Sequence, residues 1–191
     1  MARKLEEILD SPIIGASSPA ELFVRLHVAL STHLVHVSGD PLRDVDRIDL
    51  DVDPAFDPNI AIYQGHWSNS DSPRLQLAVQ VLGHDVHIAL RATKQDANAE
   101  ETEFGDTGPK IGNSVLVARM LHVGICTLRS AGIRDITNEP HDERLRSYYS
   151  TLGFVDGKVL SLHDRGQLKT ALMAIRSVYA RFGLDLAAPP P

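Results

Sequence analysis

Two apolar runs that alternate residue by residue across a single glycine constrain this chain more than any other feature. Leu75, Leu77, Val79 and Val81 share one side of the first run, Val86, Ile88 and Leu90 share one side of the second, and Gly83 lies between them. Successive side chains of an extended chain point to opposite faces, so a period of two buries one face and leaves the other polar; wound into a helix, the same residues would scatter around the axis. Such runs joined by a short turn pair as an antiparallel meander. Ile48, Leu50 and Val52, with Arg47, Asp49 and Asp51 between them, repeat the pattern upstream, and residues 59–63 form a shorter candidate strand.

Helical signals flank this meander. Ser18-Pro19-Ala20-Glu21 places a hydroxyl at the N-cap, a proline at the first helical position and a glutamate two residues later, as in a capping box. Leu22, Leu26, Leu30 and Leu34 then form one stripe, and Gly39 is the expected stop, which predicts a helix over 18–38. Residues 92–108 are polar and acidic and read as a loop. Residues 113–130 are apolar almost all round, which suits a helix laid across a sheet. Ala131-Gly132 ends it, and 133–137 is short enough for a central strand. A helix over 141–151, a strand over 154–162 interrupted at Asp156-Gly157, and an amphipathic helix over 164–182 with Leu168, Leu172, Ile175, Val178 and Phe182 on one face complete the order. The pattern predicts an α/β chain of the α+β kind: antiparallel strands, then helix-strand-helix-strand in a mixed sheet, with extra helices at both ends. It is expected to fold as one domain over 1–186 with an acidic insertion at 92–108, followed by a disordered tail at 187–191.

Composition excludes several functions. The net charge of −6 over 191 residues argues against a nucleic-acid binder, which carries a basic face. A single cysteine, Cys126, excludes an internal disulfide framework and a multi-cysteine zinc site; set in an apolar helix, it reads as a small buried hydrophobe. No run approaches the ~20 apolar residues that span a bilayer, and the first residues lack the apolar core of a secretory signal. A cytoplasmic protein without membrane partner is expected. Among the nine histidines, His33-x-x-His36 and His84-x-x-His87 lack a third ligand at recognisable distance, so no metal is expected.

The segment Glu139-Pro-His-Asp-Glu-Arg-Leu-Arg-Ser-Tyr-Tyr-Ser-Thr-Leu-Gly-Phe154 carries the strongest local signal. Read as residues alone, it is a helix end whose tyrosines and Leu-Gly-Phe step pack into a core. It also resembles the segment that GNAT acyltransferases carry near their C-terminal end, with matches at Pro140, Glu143, Arg144, Tyr149, Leu152, Gly153 and Phe154. The resemblance spans about residues 74–160. It implies acetyl-CoA as acyl donor, with the phenol of Tyr149 protonating the departing thiolate, a role suited to a group that stays protonated at neutral pH. It implies that the donor's pyrophosphate sits on backbone N–H groups at the start of the 113–130 helix, where Gly108-Pro-Lys-Ile-Gly-Asn-Ser114 offers Lys110, Ile111, Gly112, Asn113 and Ser114. Pro109 stands where the family usually has glutamine or arginine. Without the family, Gly108-Pro109 simply ends a loop and Asn113 or Ser114 caps the helix. The resemblance further implies that Ile88, Ala89 and Leu90 line the donor with their backbone and that Asp142 contacts the cofactor.

A general base is less clearly marked. His87 lies opposite Val86 and Ile88 on the predicted strand, His84 and Asp85 start that strand, and His66-Trp67 ends an earlier one; each also reads as a surface or packing residue. The function implied is transfer of an acetyl or short acyl group from acetyl-CoA to an amine, on a small molecule or a protein, with the acidic 92–108 stretch as a lid or a solvated insertion. The alternative is an inactive GNAT-like binding module, in which helices 18–38 and 164–182 serve as homodimer or partner surfaces instead of simply covering the sheet.

Overall fold

The computed structural model describes residues 2–35, 45–52, 57–66, 75–92 and 111–181. The alternating segments form strands β1 (Arg47–Asp51), β2 (Ile60–His66), β3 (Leu75–Leu82) and β4 (Asp85–Ala92), paired antiparallel in sequence order. Leu75, Leu77 and Val79 of β3 are buried, while Gln76, Ala78 and Gln80 lie half-buried on the other face. Leu82 opposes Asp85 across a two-residue turn. Gly83, at φ 68, takes the first central position of that turn, where the strands' twist favours a positive φ. β2 runs three residues beyond the 59–63 expectation, held on both sides by β1 and β3.

Helix α2 (Pro19–Leu34) starts as its sequence predicts, with Ser18 Oγ accepting from Glu21 N at 3.2 Å. The reciprocal half of the capping box is displaced by one residue: the Glu21 carboxylate accepts from Ser17 N at 2.8 Å and from Ser17 Oγ, and it also pairs with Arg25. Those bonds, the serine hydroxyl's foremost, hold the carboxyl down at about 2. The helix ends at Leu34 with Val35 extended, and Gly39 lies outside the described residues. A short helix that the sequence reading did not anticipate, α1 (Ala2–Leu9), buries Leu5, Ile8 and Leu9.

Helix α3 (Ile111–Ser130) is followed by β5 (Asp135–Thr137), α4 (Glu143–Thr151), β6 (Val159–Ser161) and α5 (Arg165–Ala180). α3 stops where Ala131-Gly132 predicts: Gly132 N donates to Arg129 O and Ile133 N to Leu128 O, both at 3.0 Å, with Gly132 at φ 86. This closes the helix by a left-handed residue. The segment before α2 caps the same end from outside, as Ile14 and Gly15 donate to Ser130 O and the Arg129 guanidinium donates to Ser11 O and Leu9 O.

The six strands form one mixed sheet in the order β1-β2-β3-β4-β5-β6, with β4 and β5 parallel and β5 and β6 antiparallel. β5 is therefore next to an edge strand and not central. The 154–162 strand is cut to three residues because Asp156 (φ 51) and Gly157 (φ 70) fold Val155 back onto Val159. Leu26 of α2 and Met120 and Leu128 of α3 meet Leu77, Ile88 and Ile136 of the sheet in one apolar seam. Tyr63 ties the layers together by donating to Phe23 O at 3.0 Å. Among the described residues, no helix is long and apolar enough to cross a membrane. Ala92 closes β4, so the rest of the expected acidic insertion, like the 187–191 tail, lies outside the described residues.

Candidate functional site

β4 and β5 are the parallel pair of the described sheet. Residues 85–87 of β4 pair with 135–137 of β5; β5 then ends, while β4 continues through Ala92 paired to β3. From Ile88 onward β4 thus presents an edge to which β5 adds no rung. Residues 131–134 are all that separates α3 from β5, and Arg134 N donates to His84 O in the β3–β4 turn at 2.8 Å. α3 therefore ends beside the amino ends of the parallel strands. A helix of 20 residues is about 30 Å long, enough to reach the carboxyl ends when it runs antiparallel to the strands, as a crossover between parallel strands does. In open sheets the crevice outside the carboxyl ends of parallel strands is where ligands bind.

β5, α4 and β6 keep the chain at that end. Thr137 opposes Val159, and Asn138 N donates to Lys158 O at 2.9 Å. Tyr149 is buried at the end of α4, its ring edge-on to Tyr148 at 5.8 Å and to Phe154 at 5.3 Å between centroids. Burial pushes the Tyr149 phenol up to about 12 and the Tyr148 phenol higher still, so both stay protonated at neutral pH. The Tyr148 hydroxyl is buried with no hydrogen-bond partner. Gly153, at φ 91, turns the chain from α4 toward Phe154, and a Cβ there would stand 2.9 Å from the backbone of Ala171 on α5. The Leu-Gly-Phe step is thus required twice, by its dihedral and by the close approach of α5.

The other predicted site residues fall as follows. Ile88 is buried, Ala89 exposed and Leu90 half-buried on the parted stretch of β4. Ile111, Gly112, Asn113 and Ser114 occupy the first turn of α3, whose N–H groups have no acceptor within the helix; the helix thus begins before Gly112, two residues earlier than its apolar run suggested. Lys110 and Pro109 lie outside the described residues. Asp142 caps α4, its Oδ1 accepting from Leu145 N at 2.7 Å. Burial raises the Cys126 thiol to about 12, so it is no nucleophile at neutral pH.

The histidines separate. His66 is buried at the end of β2, two strands from β4, with Nε2 3.6 Å from Asp49 Oδ2. His84 sits in the hairpin at the far end of β4. His87 alone stands on the last shared rung of β4 and β5, with Nδ1 3.1 Å from Thr137 Oγ1. Among the described residues, no three His, Cys, Asp or Glu side chains are grouped to hold a metal ion.

Sequence reasoning missed Thr137, Tyr148 and Asn138. Asn138 is 7% exposed, and neither its Oδ1 nor its Nδ2 has a partner. Only the position of Thr137 beside a buried isoleucine in a three-residue strand hinted at an outward hydroxyl. Compared with known proteins, the chain matches no family model, no curated protein and no solved structure.

Proposed function

We propose that the chain is an acyl-CoA-dependent N-acyltransferase that moves an acetyl or short acyl group from acetyl-CoA to an amine. The observation that carries this reading is the parting of β4 from β5 after three shared rungs. An extended pantetheine arm would pair along Ile88–Leu90, with backbone N–H groups polarising the thioester carbonyl. The first turn of α3 at Ile111–Ser114 would take the pyrophosphate, as helix N-termini take anions. Tyr149, kept protonated by burial, would supply the proton to the leaving thiolate. Asp142 supports the site indirectly, by capping the helix that bears Tyr149. A freely diffusing donor of this kind suits a cytoplasmic enzyme.

A thermal melt with acetyl-CoA, and separately with coenzyme A, tests donor binding. Ligand at about 100 times its dissociation constant stabilises a folded protein by about 2.7 kcal/mol, a shift of several degrees for a domain of this size. No shift at millimolar ligand removes the donor site. If acetyl-CoA binds, Tyr149→Phe is expected to lower turnover at least about tenfold with donor affinity little changed, and unchanged turnover removes the phenol from the mechanism.

A second reading, a binding module without catalysis, draws on Val24 and Val28, which stand 56% and 58% exposed one turn apart on the outer face of α2. A concentration-dependent dimer without donor binding is its expected signature.

A further inference from the structure

The rung formed by His87 and Thr137 fixes more than the spacing of two strands. Thr137 Oγ1 lies 3.2 Å from Val86 O, and a carbonyl can only accept, so the single hydroxyl hydrogen is committed there. His87 Nδ1 lies 3.1 Å from the same Oγ1, and with that hydrogen committed the imidazole must be the donor. Assigned by this donor count, neutral His87 carries its hydrogen on Nδ1 and a free lone pair on Nε2. No described residue hydrogen-bonds Nε2.

The surroundings suit a base that works on a cation. Side chains at the His87 rung point away from Val86, Ile88 and Ile136, which are buried. The next rung on this face pairs Ala89, which is exposed, with Ala78, so the imidazole's neighbours on that side are two methyl groups. The rung on the other side pairs Asp85 with Asp135, and Asp85 Oδ1 is buried without a partner. Across from His87 on β3 stands the neutral Gln80. One imidazole with a lone pair, two carboxylates and a rung of two alanines therefore share one face of the sheet, at the vertex where β4 and β5 part.

We propose that His87 is the general base of this site, that Thr137 is the positioning residue that sets its tautomer, and that the acceptor is a cationic primary amine drawn in by Asp85 and Asp135. This rests on the acyltransferase reading above. Nε2 takes one proton from the ammonium group, and the freed nitrogen lone pair forms the N–C bond to the thioester carbonyl. The C–S bond breaks, the thiolate takes the phenol proton of Tyr149, and the phenolate recovers a proton from the new amide nitrogen. His87 then returns its proton to water, so the cycle yields amide, thiol and one released proton.

The test has one arm that needs no activity. Long-range proton–nitrogen NMR of the histidine rings in the whole protein is expected to show the Nδ1–H form for neutral His87, and Thr137→Val is expected to return it to Nε2–H, with Thr137→Ser restoring Nδ1–H. Wild-type His87 found as Nε2–H overturns the assignment of the base. The second arm uses acetyl-CoA as donor and spermidine as acceptor. His87→Gln is expected to keep the melting shift with acetyl-CoA and lose turnover about 100-fold or more, within the usual range for a proton-transfer group. His87→Gln that binds donor and transfers at the wild-type rate overturns the base while leaving the acyltransferase reading intact. Wild-type protein that binds acetyl-CoA but acetylates no spermidine overturns the cationic acceptor. A wild-type protein without any acetyl-CoA shift overturns the acyltransferase reading itself, whatever the tautomer.

Discussion

Among the described residues, His87 and His122 each place Nδ1 beside a hydroxyl, and they differ in nearly everything else. His87 is half-buried on the sheet face away from α2 and α3, and its partner Thr137 has already committed its hydrogen to a backbone carbonyl. His122 is 4% exposed on α3, with Nδ1 3.3 Å from Tyr179 Oη of α5, the two rings edge-on at 5.8 Å, and Nε2 buried without a partner. Burial, aided by the charge of His33 on α2, lowers the His122 imidazole to about 4, so it stays neutral and packs. The pair shows that a hydrogen bond to Nδ1 does not by itself make a histidine chemical. What matters is whether the other nitrogen faces a place where a substrate can come.

The largest expected effect is the one that fails to separate the two regions. Gly153→Ala combines a positive φ with contact to the Ala171 backbone, at 2.9 Å, and so disturbs both the Tyr149 turn and the packing of α5. Strain of about 1–2 kcal/mol for the left-handed residue and about 1–3 for the overpacked contact suggest a loss near 4 kcal/mol, readable by denaturant unfolding. A loss under about 1 kcal/mol would show that α5 moves aside freely, and the two regions would then be less rigidly joined than their contacts suggest.

The next effect does separate them. The folded His122 binds its proton near pH 4, while in the unfolded chain it does so near 6.5. Between these values the unfolded state holds more protons, so this residue makes stability rise with pH. Its contribution is complete above about 6.5 and is lost as the pH falls toward 4, by about 3 kcal/mol in total. Unfolding free energies measured across that window are expected to slope less in His122→Phe than in the wild type. Equal slopes in wild type and His122→Phe would mean that His122 is protonated in the fold, and the contrast with His87 would collapse.

The sequence made the layers legible and left the rungs obscure, and the reason is physical. Alternation in 75–90 predicted β3 and β4 with their buried faces, because burial of one face is written into every second residue. Ser18, Gly132 and Asp164 showed themselves as helix ends or starts, because caps are local chemistry. The Thr137–His87 contact joins residues 50 apart, and no local rule links a threonine to a histidine at that distance. The His122–Tyr179 contact, 57 apart, was hidden for the same reason. The resemblance at 139–154 anticipated the position of Tyr149 at the end of a helix, but the parting of β4 from β5 becomes visible only once register is known. The start of α3 was misjudged because Ile111 and Gly112 precede the apolar run that marks its buried face.

The smallest expected effects decide between the two histidines most directly, because they remove the same kind of bond from each. Tyr179→Phe leaves His122 Nδ1 buried with nothing to bond, and a buried polar atom stripped of its partner costs about 2 kcal/mol. Thr137→Val takes the hydroxyl from both His87 and the Val86 carbonyl, but Thr137 and the His87 ring are only half-buried and water can replace the lost partner of the ring, so the cost should stay within about 1 kcal/mol. Unfolding free energies at pH 7 read both. The ratio carries the meaning: a bond that is costly to lose is part of the packing, and a bond that is cheap to lose but changes which nitrogen holds the proton is there for orientation. If Thr137→Val proves as destabilising as Tyr179→Phe, the His87 rung is a structural clasp like its buried counterpart, and the open face of the sheet loses its claim to a base.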